Sequence, residues 1–597
     1  VSNARQHIED YAMIGDLQTA ALVGRDGSID WLCLPHFDSG ACFAALLHDE
    51  SAGSWRLAPA GGGDRTEPER PSRRYLEDSL VLETTWRTEQ GTVRVVDLMP
   101  PRGQAADIVR IAEGIEGRVT MESAMRLRFD YGSFRPWVRA DGHDALAVAG
   151  PDSAWFHADV DVEADEDRLL ARFALGAGDR VGFVLTHQAS HLGRPDPVDP
   201  DRALARTKEF WREWIDRCQY DGRWAPAVRR ALVTLKALTF APTGGVLAAA
   251  TTSLPEEIGG VRNWDYRFCW LRDATHTLQA LLGTGYVEEA TAWREWLVRA
   301  VAGDPAELQL MYGVDGRRRL PEMTLPWLDG FAGSQPVRIG NAAAEQLQLD
   351  VWGEVLDGLH LARQSGIEVS GPAWDIQRAL LDWLEGNWQQ PDHGLWEMRG
   401  GRRDFVHSKA MAWAGVDRAV RAVEAYPLDG PVDRWRELRE RIHREVCERG
   451  YDAERGTFTQ FYGSTGVDAA LLLLPQAGFL PWSDPRVRGT VAAIERELSV
   501  DGLTRRYNPD ADAGTDGLPG GEGVFVACSF WLADALAATG RAPEAEKLFA
   551  RLLDLRNDVG LLSEEYDVAS GHHLGNTPQA YSMVGLVNTA RALEGRV

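Results

Sequence analysis

Two periodicities divide the chain. Up to about residue 205 the apolar positions come in short runs: SIDWLCL (28–34), SLVLETTWRT (79–88), TVRVVDLM (92–99), VTMESAMRLRF (119–129), ALAVAG (145–150), RLLARFALG (168–176) and RVGFVLTH (180–187). Alternation, Val, Thr and aromatic enrichment, and Gly, Pro or Asp between the runs predict antiparallel strands packed as a β-sandwich. GRPDPVDPDRA (193–203) breaks this pattern with three prolines, and LARTKEFWREWIDRCQY behind it has helical spacing. From about residue 225 the apolar period is 3.6, in segments starting near 225, 270, 286, 341, 371, 405, 431, 466, 484, 523, 542 and 576. The predicted organisation is therefore a sandwich domain (1–205), a connecting helix (206–224) and a helical domain (225–597). Twelve consecutive helices joined by short and long loops fit an (α/α)6 barrel, six inner helices ringed by six outer ones. The long loops at 304–340, 389–404, 501–522 and 557–575 are rich in Arg, Asp and Glu, with some Trp, in Gly/Pro-rich surroundings, and loops of that length in a compact domain usually carry function.

Composition narrows the function. With 64 basic and 89 acidic side chains the formal charge is -25, which disfavours nucleic acid and anionic membrane partners and suits a neutral small molecule or oligosaccharide. The 22 tryptophans offer flat faces on which sugar rings stack, although large cores use Trp as well. Cys33, Cys42, Cys218, Cys269, Cys447 and Cys528 form no CxxC pair, which predicts free thiols and no metal site. VSNARQHIEDYAMIGD has no leader pattern and no window of eighteen apolar residues occurs, so the expected setting is cytoplasmic.

Carboxylates dominate the candidate chemistry. GGVRNWDYRFCWLRDATHTL (259–278) places Tyr266, Trp270, Arg272 and Asp273 where a loop becomes a helix; an adjacent Arg and Asp can grip sugar hydroxyls, or cap the helix. In PDHGLWEMRGGRRDFVHSKAMAWAG (391–415) Glu397 follows Trp396, and an indole beside a carboxyl group desolvates it and favours the protonated form a general acid needs. Most loop glutamates are solvated, so this reading requires support. Glu564 and Glu565 precede the last helix in LLSEEYDVASGHHLGNTPQAYSMVGLVNTA (561–590); one of two adjacent carboxylates can stay ionised to activate water, and an acidic pair also suits a helix N-terminus. Glu522 lies between glycines in LPGGEGVFVACSFWLADAL (518–536), and Glu345, Asp350 and Glu354 have core spacing. His572 and His573 lack a third ligand at a recognisable spacing, and no P-loop, GxSxG, HExxH or dinucleotide fingerprint stands in a convincing context, so no cofactor is expected.

These motifs, with IGDLQTAALVGRDGSIDWLCLPHFDSGACFAALL (14–47), resemble glycoside hydrolase family 15, the glucoamylase-like enzymes, in its two-domain bacterial and archaeal form. The resemblance runs along almost the whole chain and implies a β-sandwich followed by an (α/α)6 catalytic barrel. It implies that Tyr266, Trp270, Arg272 and Asp273 hold the glucose to be released, with Arg505 or Arg506; that Glu397 in GLWE is the general acid; and that Glu564 in SEEYD is the general base, with Glu565 where the family has Gln. Trp396 and Glu522 are further substrate contacts on this reading, as is the loop around Arg317–Glu322. The implied activity is inverting release of β-glucose from an α-glucan or α-glucosyl disaccharide, glucoamylase-like or, alternatively, trehalase, with the two carboxyl groups about 6.5–9.5 Å apart. Two rivals stay open: an inactive sugar-binding protein on this fold, and an inverting phosphorolytic enzyme in which a phosphate pocket replaces the base.

Overall fold

The computed structural model describes residues 6–61, 70–367, 371–508 and 516–595. The first few residues of the chain and the middle of the 501–522 loop, 509–515, lie outside the described residues. As the periodicity predicts, the described first half is antiparallel sheet and the second half helical. The 21-residue strand Ala106–Arg126 belongs to both layers of the sheet domain. Its first half pairs with Gly91–Leu98 and Arg180–Ala189, and its second half with Ser54–Pro59 and Arg168–Gly176. The layers face each other through aromatic contacts, Trp55 against Phe156 with ring centroids 5.5 Å apart and Phe173 against Phe183 at 5.6 Å. The first half of the strand is almost continuously buried because its outer face is covered too, by Ala203 and Leu204 of a helix packed on Val96, Val109, Ile111 and Val184.

That helix, α1 (Pro200–Ile215), begins inside the proline-rich stretch, earlier than its apolar spacing suggests. Asp199 caps it by accepting the N–H of Arg202, and Pro200 takes the first helical position, where the missing N–H has no partner to lose.

The twelve expected helical segments are all present: α2 (Ala225–Ala237), α3 (Leu271–Leu282), α4 (Val287–Ala300), α5 (Asp350–Gln364), α6 (Gly371–Asn387), α7 (Val406–Ala425), α8 (Val432–Arg449), α9 (Leu473–Gln476), α10 (Pro485–Glu497), α11 (Val526–Ala538), α12 (Ala542–Asp554) and α13 (Ala580–Leu593). The segment expected from 341 is a single 3-10 turn, Ala342–Glu345, with α5 proper starting at Asp350. Helix α9 continues a 3-10 turn, Ala469–Leu472, so the fourth inner position is filled by only two turns. Pro475, which has no N–H, and Gly478 at φ 79° stop it there. The ring closes through contacts of α3 with α5, α5 with α7, α7 with α9, the 469–472 turn with α11, α11 with α13, and α13 with α3. Helix α11 is buried almost throughout, as befits an inner position, whereas only every third or fourth residue of α8 is buried.

The sheet domain grips the barrel beside the segment that leads into α3. Arg267 is fully buried, pairs with Asp265 at 2.7 Å, and donates to the Ser39 carbonyl and the Tyr131 hydroxyl at 3.0 and 2.9 Å. The Trp31 indole donates to Ala250 O at 2.9 Å. Residues 14–47 thus buttress the segment that carries Tyr266. No helix among the described residues is long and apolar enough to cross a membrane, and the six cysteines form no disulfide.

Candidate active site

Loops at the N-terminal ends of the inner helices converge on a cavity of about 50 Å³. Tyr266, Arg272, Trp396, Glu397 and Arg506 line it, joined by Glu256, Arg262, Trp264, Arg399 and Tyr581.

Glu397 is placed by its backbone. The loop before α7 turns through a left-handed conformation at this residue, φ 59°, rare outside glycine. Its N–H donates to Gly394 O and its carbonyl accepts from the Gln346 amide, both at 3.1 Å. Lys409, buried at the start of α7, holds the same loop through Trp388 O at 2.8 Å and Gln390 O at 2.5 Å. The Glu397 carboxylate accepts the Trp270 indole N–H at 2.6 Å and lies 3.5 Å from the Arg272 guanidinium. The indole that touches this acid is therefore not its chain neighbour Trp396, whose N–H goes to Asp468 at 2.8 Å. Arg272 also donates to Leu395 O at 2.7 Å and to Asp273 at 3.2 Å. Burial pushes the Asp273 carboxyl above its usual range, against the pull of Arg272.

Glu564 is positioned by a small sheet, Val524–Phe525 with Glu565–Asp567 and His572–Leu574. Its N–H donates to Asn576 O at 3.1 Å and its carbonyl accepts the Val526 N–H at 3.0 Å. One carboxylate oxygen accepts the Asn576 N–H at 3.3 Å, and the other, fully buried, has no hydrogen-bond partner among the described residues. Burial first, then the charge of Glu256, pushes this carboxyl up to about 8, against Arg506, the Tyr266 hydroxyl and the Asn576 N–H. Tyr266 feels both acids: burial first, then the charges of Glu564, Glu256 and Glu397, push its hydroxyl well above the usual range. Gly575 makes room for the arrangement; at its φ of 70° a Cβ would lie 2.5 Å from a Glu564 carboxylate oxygen.

Arg506 organises the acidic side of the cavity. It donates to Glu256 at 2.8 Å and to Glu522, lies 3.5 Å from Glu565, and stands over the rings of Trp396 and Phe525. Just past the two-residue strand Leu503–Thr504, Arg506 is buried and turned to the cavity, whereas Arg505 is exposed and away from it. Glu565 faces Arg506 and accepts the Gly523 N–H at 2.8 Å; like Glu564, Glu522, Trp270 and Asp273, it stands behind the residues that line the cavity. Glu522 bridges Arg506 to Arg262, 3.2 Å away, and Arg262 reaches Asp516 at 2.6 Å.

Sequence reasoning did not single out Glu256, Arg262, Asn576 or Tyr581. Asn576 binds Thr251 and the Trp264 carbonyl, both at 2.9 Å, and ties the Glu564 segment to the strand leading to Tyr266. Glu256 stands in TTSLPEEIGG with no aromatic or glycine signature to mark it. On the remaining side, Trp264 is held between the guanidinium groups of Arg338 and Arg399, at 4.5 and 4.7 Å. Both arginines meet Glu322, at 3.7 and 3.1 Å, whereas Arg317 turns away to Asp38. His572 pairs with Glu9 at 2.5 Å, outside the cavity.

Similarity to known proteins follows the same outline. Residues 223–591 match the family model of glycosyl hydrolases family 15, and residues 1–169 match that of the trehalase-like N-terminal domain. The chain is 37% identical to a trehalase of Mycobacterium tuberculosis, over 97% of this chain and 88% of that protein. It is 34% identical to a trehalase of Thermoplasma volcanium, over 98% and 93%. In fold it is similar to a bacterial glucoamylase complexed with acarbose, with a TM-score of 0.73, 14% identity, and 99% and 94% of the two chains covered. A carboxylate-lined cavity at the rim of a helical barrel, an N-terminal antiparallel sheet domain and similarity along nearly the whole length have one common meaning: the chain belongs to glycosyl hydrolases family 15 and is a glycoside hydrolase.

Proposed function

We propose that the enzyme is a trehalase, cleaving α,α-trehalose with inversion into two glucose molecules, with Glu397 as general acid and Glu564 as general base. The observation that carries the chemistry is the meeting of two carboxyl groups from distant segments at Tyr266, one of them with an unpartnered oxygen. Glu397 donates its proton to the glycosidic oxygen as the bond to C1 breaks. Glu564, ionised, takes a proton from water attacking C1 from the opposite face, and the new hydroxyl leaves that glucose as the β-anomer. Arg272 and Asp273 on one side and Arg506 on the other grip the hydroxyls of the glucose that is attacked. Burial around Glu397 and Glu564 makes each hydrogen bond count for more than it would in water.

Two observations favour trehalose over longer α-glucans. Full-length relatives are named trehalases. The cavity is also small: Trp264, braced between Arg338 and Arg399, gives a platform and donors for one more sugar, and Asp516 and Leu518 line the same space. The deciding experiment is a glucose-release assay of the full chain on trehalose, maltose, isomaltose and starch, with the product anomer followed by proton NMR. Trehalose alone should be cleaved efficiently, with one α- and one β-glucose appearing first. Preference for maltose or starch would make the enzyme a glucoamylase, and two α-glucose products would exclude the inverting roles of Glu397 and Glu564.

A further inference from the structure

A second and larger cavity, about 380 Å³, lies deeper in the barrel, toward the C-terminal ends of the inner helices. Its origin is the fourth inner position: with only two turns there, the neighbouring helices are left with a space walled in part by Pro475, Ala477 and Trp482. Its size falls in the roughly 300–1,000 Å³ range of small-molecule sites.

The lining is that of a site and not of a packing defect. Both ring nitrogens of His360, which is 5% exposed, and the Tyr581 hydroxyl, 4% exposed, have no hydrogen-bond partner among the described residues. One oxygen each of Asp534 and Asn588 is in the same condition. Buried polar atoms left unpaired are costly, so they call for a ligand or water. The chamber's central cations are already matched: Arg418 pairs with Asp357 at 2.5 Å and Asp417 at 2.9 Å, and Arg421 with Asp417 at 2.7 Å. Burial keeps His276 and His360 neutral, holding both down to about 4, and pushes the Glu354 carboxyl well above its usual range. What remains unsatisfied is neutral at His360, Tyr581 and Asn588, with the Asp534 carboxyl pushed by burial up to about 7 and Arg591 at the wall, beside the indoles of Trp482 and Trp531. Neutral hydrogen-bonding groups with aromatic faces suit a polyhydroxylated ring better than an ion.

We infer that this chamber is a second binding site, for a neutral polyol of hexose size, separated from the catalytic cavity by Tyr581, which lines both. The inference does not depend on which glycoside the enzyme cleaves. It is tested by equilibrium dialysis of the full chain against radiolabelled D-glucose. His360→Phe and Asn588→Leu, which cap unpaired positions with apolar atoms, should each bind one equivalent fewer than the wild type while keeping its circular dichroism and its kcat/KM at low substrate. Two independent variants guard against misfolding of either. The inference is overturned if both folded variants bind as much glucose as the wild type. It is equally overturned if sulfate, which would seek Arg591 at the chamber wall, occupies the chamber and glucose does not.

Discussion

The proposed base, Glu564, should titrate far from an ordinary glutamate, and that sets the pH dependence. Glu564 is fully buried, within reach of the charges of Glu256 and Arg506, and is pushed up to about 8. Only the ionised form can take a proton from water, so kcat/KM, which reports the free enzyme, should rise with pH along an acid limb governed by this group. With a midpoint at about 8, the ionised fraction is about 1% at pH 6 and about 10% at pH 7. Between these pH values kcat/KM on trehalose should therefore increase about tenfold. Glu256→Gln keeps an oxygen to accept from Arg506, 2.8 Å away, but removes the charge that ranks second only to burial in raising Glu564. The acid limb should move to lower pH, and activity at pH 6 should rise relative to the plateau. Stability carries the opposite sign. A carboxyl raised in the folded state contributes stability that is complete below its unfolded value near 4.5 and is lost as pH climbs through about 8. Glu564→Gln should flatten the fall of Tm across that window. The assay is a kcat/KM profile from pH 4 to 9 for both proteins with matched thermal melts. A wild-type acid limb near 4.5, or a limb unmoved in an active Glu256→Gln variant, would refute the reasoning.

Three further outcomes follow from the geometry. Glu397→Gln should lower kcat on trehalose by about 10²–10⁴-fold, yet retain turnover of α-glucosyl fluoride, whose leaving group needs no proton; equal losses on both substrates in steady-state assays would remove Glu397 from the acid role. Gly575→Ala puts a methyl group against Glu564 at a left-handed position, so kcat should fall about 10²-fold, as expected when a catalytic group shifts by about 1 Å, and Tm should fall with it because the backbone is strained; a variant with unchanged kcat would refute the contact. Arg506→Leu strands Glu256, Glu522 and Glu565 without their shared cation; a loss of about 3–5 kcal/mol by chemical denaturation is expected, partly restored by adding Glu256→Gln.

The architecture is legible in the chain because periodicity is a local property. Alternation in LETTWRT and helical spacing in VDRWRELRERIHREVCER are each set by neighbours a few residues apart, and the expected helix starts fall within a few residues of the observed ones except at α5 and α9. At both exceptions a 3-10 turn precedes the helix and carries part of the helical spacing. The motif residues Tyr266, Arg272, Glu397 and Glu564 could be named for the same reason, since short segments such as GLWE and SEEYD are recognisable on their own. Other features depend on contacts between segments hundreds of positions apart and carry no local mark. Which of Arg505 and Arg506 turns inward is decided by the acidic partners Glu256 and Glu522 that packing brings to Arg506. The partner of Glu397 is Trp270, 127 positions away, and not adjacent Trp396. The burial that raises Glu564 and the space left beside the short fourth inner helix likewise come only from packing. Local chemistry specifies which elements form and which side chains they carry; only their close assembly sets distance, solvent exclusion and charge, and those decide what a carboxyl group can do.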